Sequence, residues 1–313
     1  MIEPIATNAI LSIIWLLMIV LSARIFTNAA EHVAEKLGLT RLAMGAALVA
    51  ALVALPESII ALVSPLKASE EAFEVGEASV IAAPSIVLLG VSLVFAMSRT
   101  GDEDLEEPLK KGLLVSSATL ALSTSLGVLG THMLFLKTFG ALLIILGILI
   151  LREIVAWKGP VHEAEETLII SKITGLGESL PTALAQLFTG LVGLIMFADL
   201  FIDALSRVSD PFTYSLILSP LATCLPETLV ALLAALRGKG DIGASILLGE
   251  IILQSTLVIG LGILATPWQL PLKALILGLT YSAQIIIARS SPRIYRAVGV
   301  IGYLVYASIL IIK

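Results

Sequence analysis

Four glutamates of this chain stand inside long apolar runs, where a charged side chain is costly. Glu57 and Glu227 each end a Leu-Pro-Glu phrase, and Glu77 and Glu250 each follow a glycine further along the chain. Placing one glutamate in a hydrocarbon layer costs roughly a few kcal/mol even on lenient insertion scales. Carboxylates that are nevertheless kept there usually line a path for cations or protons. We therefore interpret these four glutamates as the residues that carry the chemistry of the chain.

The chemistry that this pattern indicates is the binding of a hard cation by oxygen atoms. A proline within a helix removes a backbone hydrogen bond, so Pro56 and Pro226 are expected to free carbonyl oxygens beside the glutamates that follow them. Carboxylate and carbonyl oxygens together suit Ca2+. Helical spacing adds two neutral side chains, one a turn before the second Pro-Glu and one a turn after the second Gly-Glu. The predicted cation ligands are Glu57, Glu227, Glu250, Glu77, Thr223 and Gln254.

A site of this kind also predicts competition between a cation and protons. Several carboxylates in one pocket of low dielectric constant cannot all remain ionised without a cation. Protons are therefore expected to bind when the cation leaves, and the groups are expected to titrate as a coupled set. The expected partners are Ca2+ or another divalent cation, H+ or Na+, and the lipid bilayer, with no resident cofactor.

Three features close to these motifs also have a purely structural interpretation. Glu77 could begin a helix near the membrane interface, because three further glutamates precede it in an acidic loop. Cys224, the only cysteine, is interpreted as a small packing residue beside the second Pro-Glu pair. Gly177-Glu178 resembles the other glutamate motifs, but it falls in a polar connection, and we do not assign it to the site.

The composition of the chain is that of a membrane protein. Hydrophobic residues make up 58% of the 313 residues and charged residues 14%, whereas soluble domains contain about 25% charged residues. The mean hydropathy is +1.04. We therefore predict an all-α polytopic protein of the cell membrane. The basic residues are scattered over short loops, which argues against nucleic-acid binding, and a single cysteine excludes an intrachain disulfide.

Ten stretches are long enough to cross a bilayer, which takes about 20 apolar residues. With the N-terminus outside, fourteen of the 19 lysines and arginines fall in inward-facing connections. Because cytoplasmic loops carry the excess of positive charge, both termini are predicted to lie outside the cytoplasm. The predicted spans are 5–24, 42–66, 77–97, 112–129, 132–152, 182–206, 212–236, 242–265, 271–289 and 294–312.

The two halves of the chain resemble each other in the same order. Residues 23–29 resemble residues 198–204, the two Leu-Pro-Glu phrases are 170 residues apart, and the two Gly-Glu pairs are 173 residues apart. Five spans in each half is an odd number, so the halves are predicted to be inverted in the membrane, an arrangement that places transporter sites at the repeat interface. The predicted division is a first repeat at 1–152, a cytoplasmic linker at 153–181 and a second repeat at 182–313.

The paired motifs resemble those of the Ca2+/cation antiporter superfamily, which includes Na+/Ca2+ and H+/Ca2+ exchangers. Family members have ten or eleven helices in inverted repeats, and helices two and seven often carry Gly-Thr-Ser-x-Pro-Glu. Here residues 52–57 read Leu-Val-Ala-Leu-Pro-Glu and residues 222–227 read Ala-Thr-Cys-Leu-Pro-Glu, so the Pro-Glu core matches and the Thr-Ser pair does not. Of the family's next motif, Gly-Asn-x-x-Gly-Ser-Asn, the second half keeps only Gly249, and Glu250 stands in place of the serine. The resemblance implies this fold and central roles for Glu57 and Glu227.

The resemblance and the glutamates together predict a secondary active antiporter that works by alternating access. Sodium sites in the family use neutral oxygens of Ser, Thr and Asn, and this chain replaces many of them with aliphatic residues or glutamate. We therefore expect exchange of a divalent cation, Ca2+ first, for H+, with Na+/Ca2+ exchange as the alternative.

Other functional classes lack their residues in this chain. An intramembrane hydrolase would need a Ser-His or paired-Asp arrangement or a His-Glu-x-x-His motif, so we do not expect an enzyme. A pump driven by ATP would need a Gly-rich phosphate loop. A channel would usually form from a symmetric oligomer around one filter, whereas the internal repeat already supplies a two-sided site, and a scaffold protein would leave the glutamates unexplained.

Overall fold

In the computed structural model, every regular element within residues 2–36, 54–97, 105–156, 167–175, 177–238 and 240–311, the described residues, is a helix. The prediction of an all-α protein is thereby confirmed. The first half contains α1 (Ile2–Lys36), α2 (Leu55–Val63), α3 (Glu70–Ala82), α4 (Pro84–Met97), α5 (Glu107–Val128) and α6 (Met133–Ala156). A short α7 (Ile169–Thr174) lies in the connection between the halves. The second half contains α8 (Leu180–Leu205), α9 (Pro211–Thr223), α10 (Leu225–Leu236), α11 (Gly240–Leu253), α12 (Ile259–Ala265), α13 (Leu272–Ser290) and α14 (Pro292–Ile311).

Seven helical stretches in the described ranges are long and apolar enough to cross a membrane, and each corresponds to one of the ten predicted spans. A shorter apolar run, Ile10–Phe26, corresponds to the first. Residues 42–53 of the predicted span 42–66 lie outside the described residues, and its remaining residues belong to α2 and the turns on either side of it. The predicted span 212–236 is not one continuous helix, because α9 ends and α10 begins at Cys224. The full count of ten, and the inversion of the halves, remain predictions. The seven stretches are Glu70–Met97, Glu107–Val128, Met133–Ala156, Leu180–Leu205, Gly243–Ala265, Leu272–Ser290 and Arg293–Leu310.

A second kind of irregularity occurs at equivalent positions of the two halves. In the first half, α3 gives way to α4 at Ala83, immediately before Pro84. In the second half, α11 passes into α12 through a π-helical turn, Gln254–Val258. With the separation of 173 residues between the Gly-Glu pairs, this π-turn corresponds to residues 81–85. Prolines and π-turns are common causes of local distortion in helices, and π-turns are frequent at functional sites.

Packing between the two halves is reciprocal. The helix pairs that correspond by sequence order, α1 with α8 and α5 with α13, pack directly on each other. In addition, α4 packs against α14, and the corresponding α12 packs against α6. These contacts between corresponding helices are the arrangement that a two-repeat origin would give.

The sequence predicts that the connections between helices alternate between the two sides of the membrane. In the structure, the helix ends that contact each other belong to connections predicted to lie on the same side. Lys67, in the 3-10 turn after α2, forms an ion pair of 2.7 Å with Asp199 near the end of α8. Lys137, early in α6, donates to three backbone carbonyls at the end of α12. At the other end of the bundle, the Arg289 Nε donates to the carbonyl of Lys110 at 2.9 Å. Which end faces the cytoplasm, and hence the side of both termini, remains a prediction.

The pair formed by α1 and α8 depends on glycine. Phe26 of α1 and Phe201 of α8, which occupy matching places in the repeated segments 23–29 and 198–204, are buried in one apolar cluster. A Cβ atom at Gly190 would lie only 2.8 Å from the backbone nitrogen of Phe26. Small residues of this kind let helix backbones approach closely within a membrane. The repeated segments thus belong to two helices that pack against each other.

The described part of the linker is attached to these same two helices. The N–H groups of Ile169 and Ile170 at the start of α7 donate to Asn28 Oδ1 at 3.0 Å and Gln186 Oε1 at 2.8 Å. The Gln186 amide in turn donates to Asn28 Oδ1 at 2.7 Å. Because the first N–H groups of a helix have no partner within it, these side chains fix the position of α7. Glu178 accepts a backbone hydrogen bond within this linker, as expected for a residue outside the site.

Substituting Gly190 by alanine is expected to destabilise the protein. The new Cβ atom would meet the backbone of Phe26 rather than a movable side chain, and overpacking of this kind costs about 1–3 kcal/mol. The thermal unfolding midpoint in detergent should therefore fall. The matched control is Gly177→Ala, whose Cβ atom would have nothing within 4 Å; equal midpoints for the two variants would contradict the close α1–α8 contact.

Candidate functional site

Glu57 lies in the first turn of α2, where the chain enters the helix through Ala54 and Pro56. Proline suits this position because its missing N–H would have no partner there. Ser58 bonds back to the Ala54 carbonyl at 2.7 Å, so its hydroxyl hydrogen is used within the helix. The Glu57 side chain is fully buried, with 0% exposure. A helix N-terminus stabilises a nearby carboxylate through the helix dipole.

The second half builds the same local structure with a different residue in front of it. Cys224 ends α9 and begins α10, Pro226 stands in the first turn of α10, and Glu227 is its third residue, as Glu57 is the third residue of α2. The side chain of Glu227 lies outside the described part of the structure. Its role as a central ligand, and the predicted facing of the two glutamates, therefore remain predictions.

The two helix starts meet through Cys224, whose sulfur donates to Glu57 Oε1 at 3.1 Å. Gln254, the first residue of the π-turn, extends this contact to the other predicted glutamate. Its Nε2 lies 3.6 Å from Cys224 Sγ and donates to Glu250 Oε1 at 2.8 Å. We call Glu57, Cys224, Gln254 and Glu250 the buried polar chain; all four side chains are fully buried. The chain brings Glu57 together with Gln254 and Glu250, which the sequence predicts as fellow ligands.

Within the buried polar chain, Glu57 Oε2 and Gln254 Oε1 have no hydrogen-bond partner among the described residues. Buried polar atoms without a partner are uncommon in folded proteins, and a cation between them would satisfy both. Among the described residues no group of three or more His, Cys, Asp or Glu side chains is gathered closely enough to hold a metal ion. That set does not include the Glu227 side chain. As it stands, the Gln254 amide lies between the sulfur and the second carboxylate.

Thr223, the remaining predicted neutral ligand, lies beside the buried polar chain. Its hydroxyl donates to the Ser219 carbonyl at 2.9 Å and is 3.6 Å from Cys224 Sγ. Ser255, next to Gln254, likewise bonds back to its own helix, at the Ile251 carbonyl. A hydroxyl that donates back to its own helix in this way keeps its oxygen lone pairs available.

Glu77 occupies a different place from the other predicted ligands. It is buried in the second turn of α3, and the groups that its carboxylate faces are the Thr266 hydroxyl and the backbone N–H groups of Trp268 and Gln269, in the turn after α12. Its Oε1 has no hydrogen-bond partner among the described residues. The described contacts of Glu77 include none with the buried polar chain, so the structure does not bring it to Glu57. The alternative interpretation, that Glu77 begins a helix, is wrong, because α3 begins at Glu70 and Glu77 is the eighth of its thirteen residues.

A cavity of about 560 Å³ opens next to Glu77. We call it the outer cavity. Glu74, one turn before Glu77, and Asp210 both line it, together with Lys273, whose Nζ is 3.7 Å from Asp210 Oδ2. Burial alone would raise the pKa of Asp210, but hydrogen bonds from Thr213 and the charge of Lys273 more than offset it and hold the pKa below its ordinary value. Asp210 therefore stays anionic at neutral pH. The other lining residues are Gly127, Val128, Gly130, Phe212, Gln269, Leu270 and Pro271.

Sequence reasoning missed Cys224. Interpreted as a packing residue, it instead joins Glu57 to Gln254. The sequence signal was its place two residues before Pro226. A proline there predicts a break in the helix, and a side chain at such a break faces the groups that the break brings together. Composition gave no such signal, since a lone buried cysteine behaves in most proteins as a small hydrophobic residue.

Known proteins match the chain in both family and fold. The family model described as "Sodium/calcium exchanger protein" matches residues 7–157 and 182–313. Among solved structures, the H+/Ca2+ exchanger CAX matches with a TM-score of 0.77 and 16% identity, over 98% of this chain and 82% of that one. The sodium-calcium exchanger NCX_Mj, soaked with Na+ and Sr2+, matches with a TM-score of 0.61 and 20% identity, over 99% of each chain. No curated protein matches the chain.

These matches agree with the sequence-based expectations at the level of family and fold. At such identities the solved structures show the fold alone. The segment between the two matched ranges falls within the predicted linker 153–181, and a family of exchangers is one of transporters rather than enzymes. Because the family model covers both halves, the chain belongs to the sodium/calcium exchanger protein family.

Proposed function

We propose that the protein is a secondary active antiporter that exchanges a divalent cation, Ca2+ first, for protons by alternating access. The observation that carries this proposal is the buried polar chain, in which Glu57 from one half is linked through Cys224 and Gln254 to Glu250 of the other. A carboxylate held in a dry interior needs a cation, a proton or strong donors. A site that alternates between the first two is what an exchanger requires.

Ca2+ is favoured as the transported cation by the donor atoms and by the relatives. The unpartnered oxygens of Glu57 and Gln254 are hard donors of the kind that Ca2+ prefers. Both solved relatives are described as exchangers of calcium. Glu227, in the first turn of α10, would complete the set as the counterpart of Glu57, together with Thr223 beside Cys224.

Protons are favoured as the counter-ion because neutral oxygen ligands are few. The positions that match Thr223 and Cys224 in the first half are Val53 and Ala54, and the position that matches Gln254 is Ile81. A site with few neutral oxygens and several carboxylates suits proton binding better than Na+ binding. Na+ coupling is the second candidate, since NCX_Mj, described as a sodium-calcium exchanger, matches this chain over its full length.

Gln254 would change roles between the empty and loaded states. In the structure, its Nε2 donates to Glu250 Oε1, and its Oε1 has no hydrogen-bond partner among the described residues. The orientation of such an amide follows from its hydrogen bonds, so a half-turn about the last bond would withdraw the donor from Glu250 and present the oxygen to an arriving cation. In this proposal the amide holds the site closed until a cation displaces it.

Glu77 would serve the path of the cation rather than its central site. It lies one turn beyond Glu74, which lines the outer cavity, and Gln269 borders both the cavity and the Glu77 carboxylate. Cations collected by Glu74 and Asp210 would therefore meet Glu77 before the buried polar chain. The path between Glu77 and Glu57 would open during the conformational change of alternating access.

Replacing Glu57 by glutamine is expected to abolish exchange while the protein still folds. The neutral amide can retain the contact with Cys224 but cannot balance a divalent charge. Loss of a direct ligand should exceed the roughly 10–100-fold effect of outer-shell changes, measured as the initial rate of Ca2+ uptake into proteoliposomes. The control is Glu153→Gln, which alters an exposed ion pair with Lys111. Full activity of Glu57→Gln would remove Glu57 from the mechanism.

Replacing Gln254 by leucine is expected to destabilise the empty protein. The change removes the donor that lies 2.8 Å from Glu250 Oε1, and loss of a buried hydrogen bond costs about 1–3 kcal/mol. Thermal unfolding in detergent without divalent cations measures the effect. The control is Gln269→Leu at the exposed edge of the outer cavity. An unchanged midpoint for Gln254→Leu would show that the amide does not stabilise the empty site.

The counter-ion is decided by imposing one gradient at a time on proteoliposomes whose membrane potential is clamped. An acidic interior without sodium is expected to drive Ca2+ uptake, because protons leaving the vesicle free the carboxylates for the cation. Uptake that responds only to an outward Na+ gradient would replace H+ by Na+ in the proposal. Uptake that responds to neither gradient would reject antiport with either ion.

A further inference from the structure

Cys224 places a sulfur atom in the buried polar chain, and sulfur affects which cations a site accepts. Cys224 stands at the junction of α9 and α10, directly before the helix that carries Glu227. Its side chain has 0% exposure, and it is the only cysteine of the chain. Its thiol is a direct neighbour of the Glu57 carboxylate.

The distances are those of neighbouring ligands on one ion. Cys224 Sγ and Glu57 Oε1 are 3.1 Å apart. Metal–sulfur bonds of about 2.3 Å and metal–oxygen bonds of about 2.1 Å, as found for Zn2+, would place an ion bonded to both atoms at an angle of about 90°. No backbone movement is required to bring these two donors to one cation.

Two oxygen atoms of the side chains beside the sulfur also have no hydrogen-bond partner among the described residues. Glu57 Oε2, on the same carboxylate that faces the sulfur, has no hydrogen-bond partner among the described residues, and neither has Gln254 Oε1. Both side chains are fully buried. The sulfur therefore lies beside two buried side chains that each have an oxygen atom without a partner among the described residues.

We propose that the Cys224 sulfur is a ligand of the transported cation as a thiolate, with its S–H proton released when the cation binds, and that the site therefore accepts sulfur-binding divalent cations of the Cd2+ and Zn2+ class in addition to Ca2+. Thiolate sulfur selects softer metals, whereas carboxylate and carbonyl oxygens suit Ca2+, Mg2+ and Mn2+. A mixed set of donors widens the range toward softer ions and disfavours Mg2+, which demands oxygen in a near-ideal octahedron. This inference rests on the proposed function, because it concerns the same site.

The direct test is the ultraviolet spectrum of the purified protein on addition of Cd2+. Coordination by sulfur produces a ligand-to-metal charge-transfer band that oxygen ligands do not give. Because Cys224 is the only cysteine, such a band can come from no other residue. The band is expected in the unaltered protein and should be reduced by excess Ca2+. Absence of the band, or a band that Ca2+ does not reduce, would overturn the proposal without the need for any variant.

The second test is transport selectivity in Cys224→Ser and Cys224→Ala. The measured quantity is the apparent affinity for Cd2+ divided by that for Ca2+, taken from competition between the two ions during uptake. This ratio is expected to fall by at least about tenfold in both variants, which is the lower end of the effect of losing a partner of a metal site. An unchanged ratio in a variant that remains monodisperse in detergent would contradict sulfur ligation. If neither the unaltered protein nor Glu153→Gln takes up Ca2+, the proposed function itself is contradicted. If Ca2+ uptake is normal and is lost in Glu57→Gln, but the Cd2+/Ca2+ ratio is unchanged in the Cys224 variants, only the proposal of a sulfur ligand is contradicted.

Discussion

The fold is arranged around one constraint, the burial of the Glu57 carboxylate away from water. In a low-dielectric interior, the cost of an isolated charge is met by donors, by a partner charge or by a proton. Here the starts of two helices surround the carboxylate. Glu57 lies in the first turn of α2, and Cys224 at the start of α10 donates a hydrogen bond to it. The breaks in the helices are therefore what allow a carboxylate to reside at this depth.

The energetic cost of buried carboxylates allowed several residues of the candidate site to be selected from the sequence. Glu57, Glu250 and Gln254 could be selected from the sequence because each is polar in an apolar run, and helical spacing places the last two on one face. Their association is confirmed by a hydrogen bond of 2.8 Å. The order of the helices and the all-α class followed from hydropathy in the same way, and seven of the predicted spans reappear as long apolar helices.

What could not be predicted depends on contacts between distant parts of the chain. The contact of Cys224 with Glu57 joins residues 167 positions apart, and no periodicity carries that information. A broken helix and a continuous one have the same hydropathy, so the division of 212–236 at Cys224 was not visible. Glu77 shares its Gly-Glu motif with Glu250, but it faces the turn after α12, and the first half has Ile81 where the second has Gln254.

The two halves contribute unequally to the site. Thr223, Cys224 and Gln254 all come from the second half, whereas the corresponding positions of the first half are aliphatic, and two of them, Ala54 and Ile81, are buried. The polar atoms near the centre thus belong mainly to one repeat, with Glu57 reaching across from the other.

The reciprocal packing of α4 on α14 and of α12 on α6 has the form of an isologous interface, the kind that relates identical subunits in a twofold dimer, although it lies within a single chain. In a true dimer every substitution is made twice at once. Here the two equivalent contacts can be altered separately. Each contact between the halves therefore has an internal reference in the same molecule: the effect of a change in one copy can be compared with that in its counterpart under identical conditions.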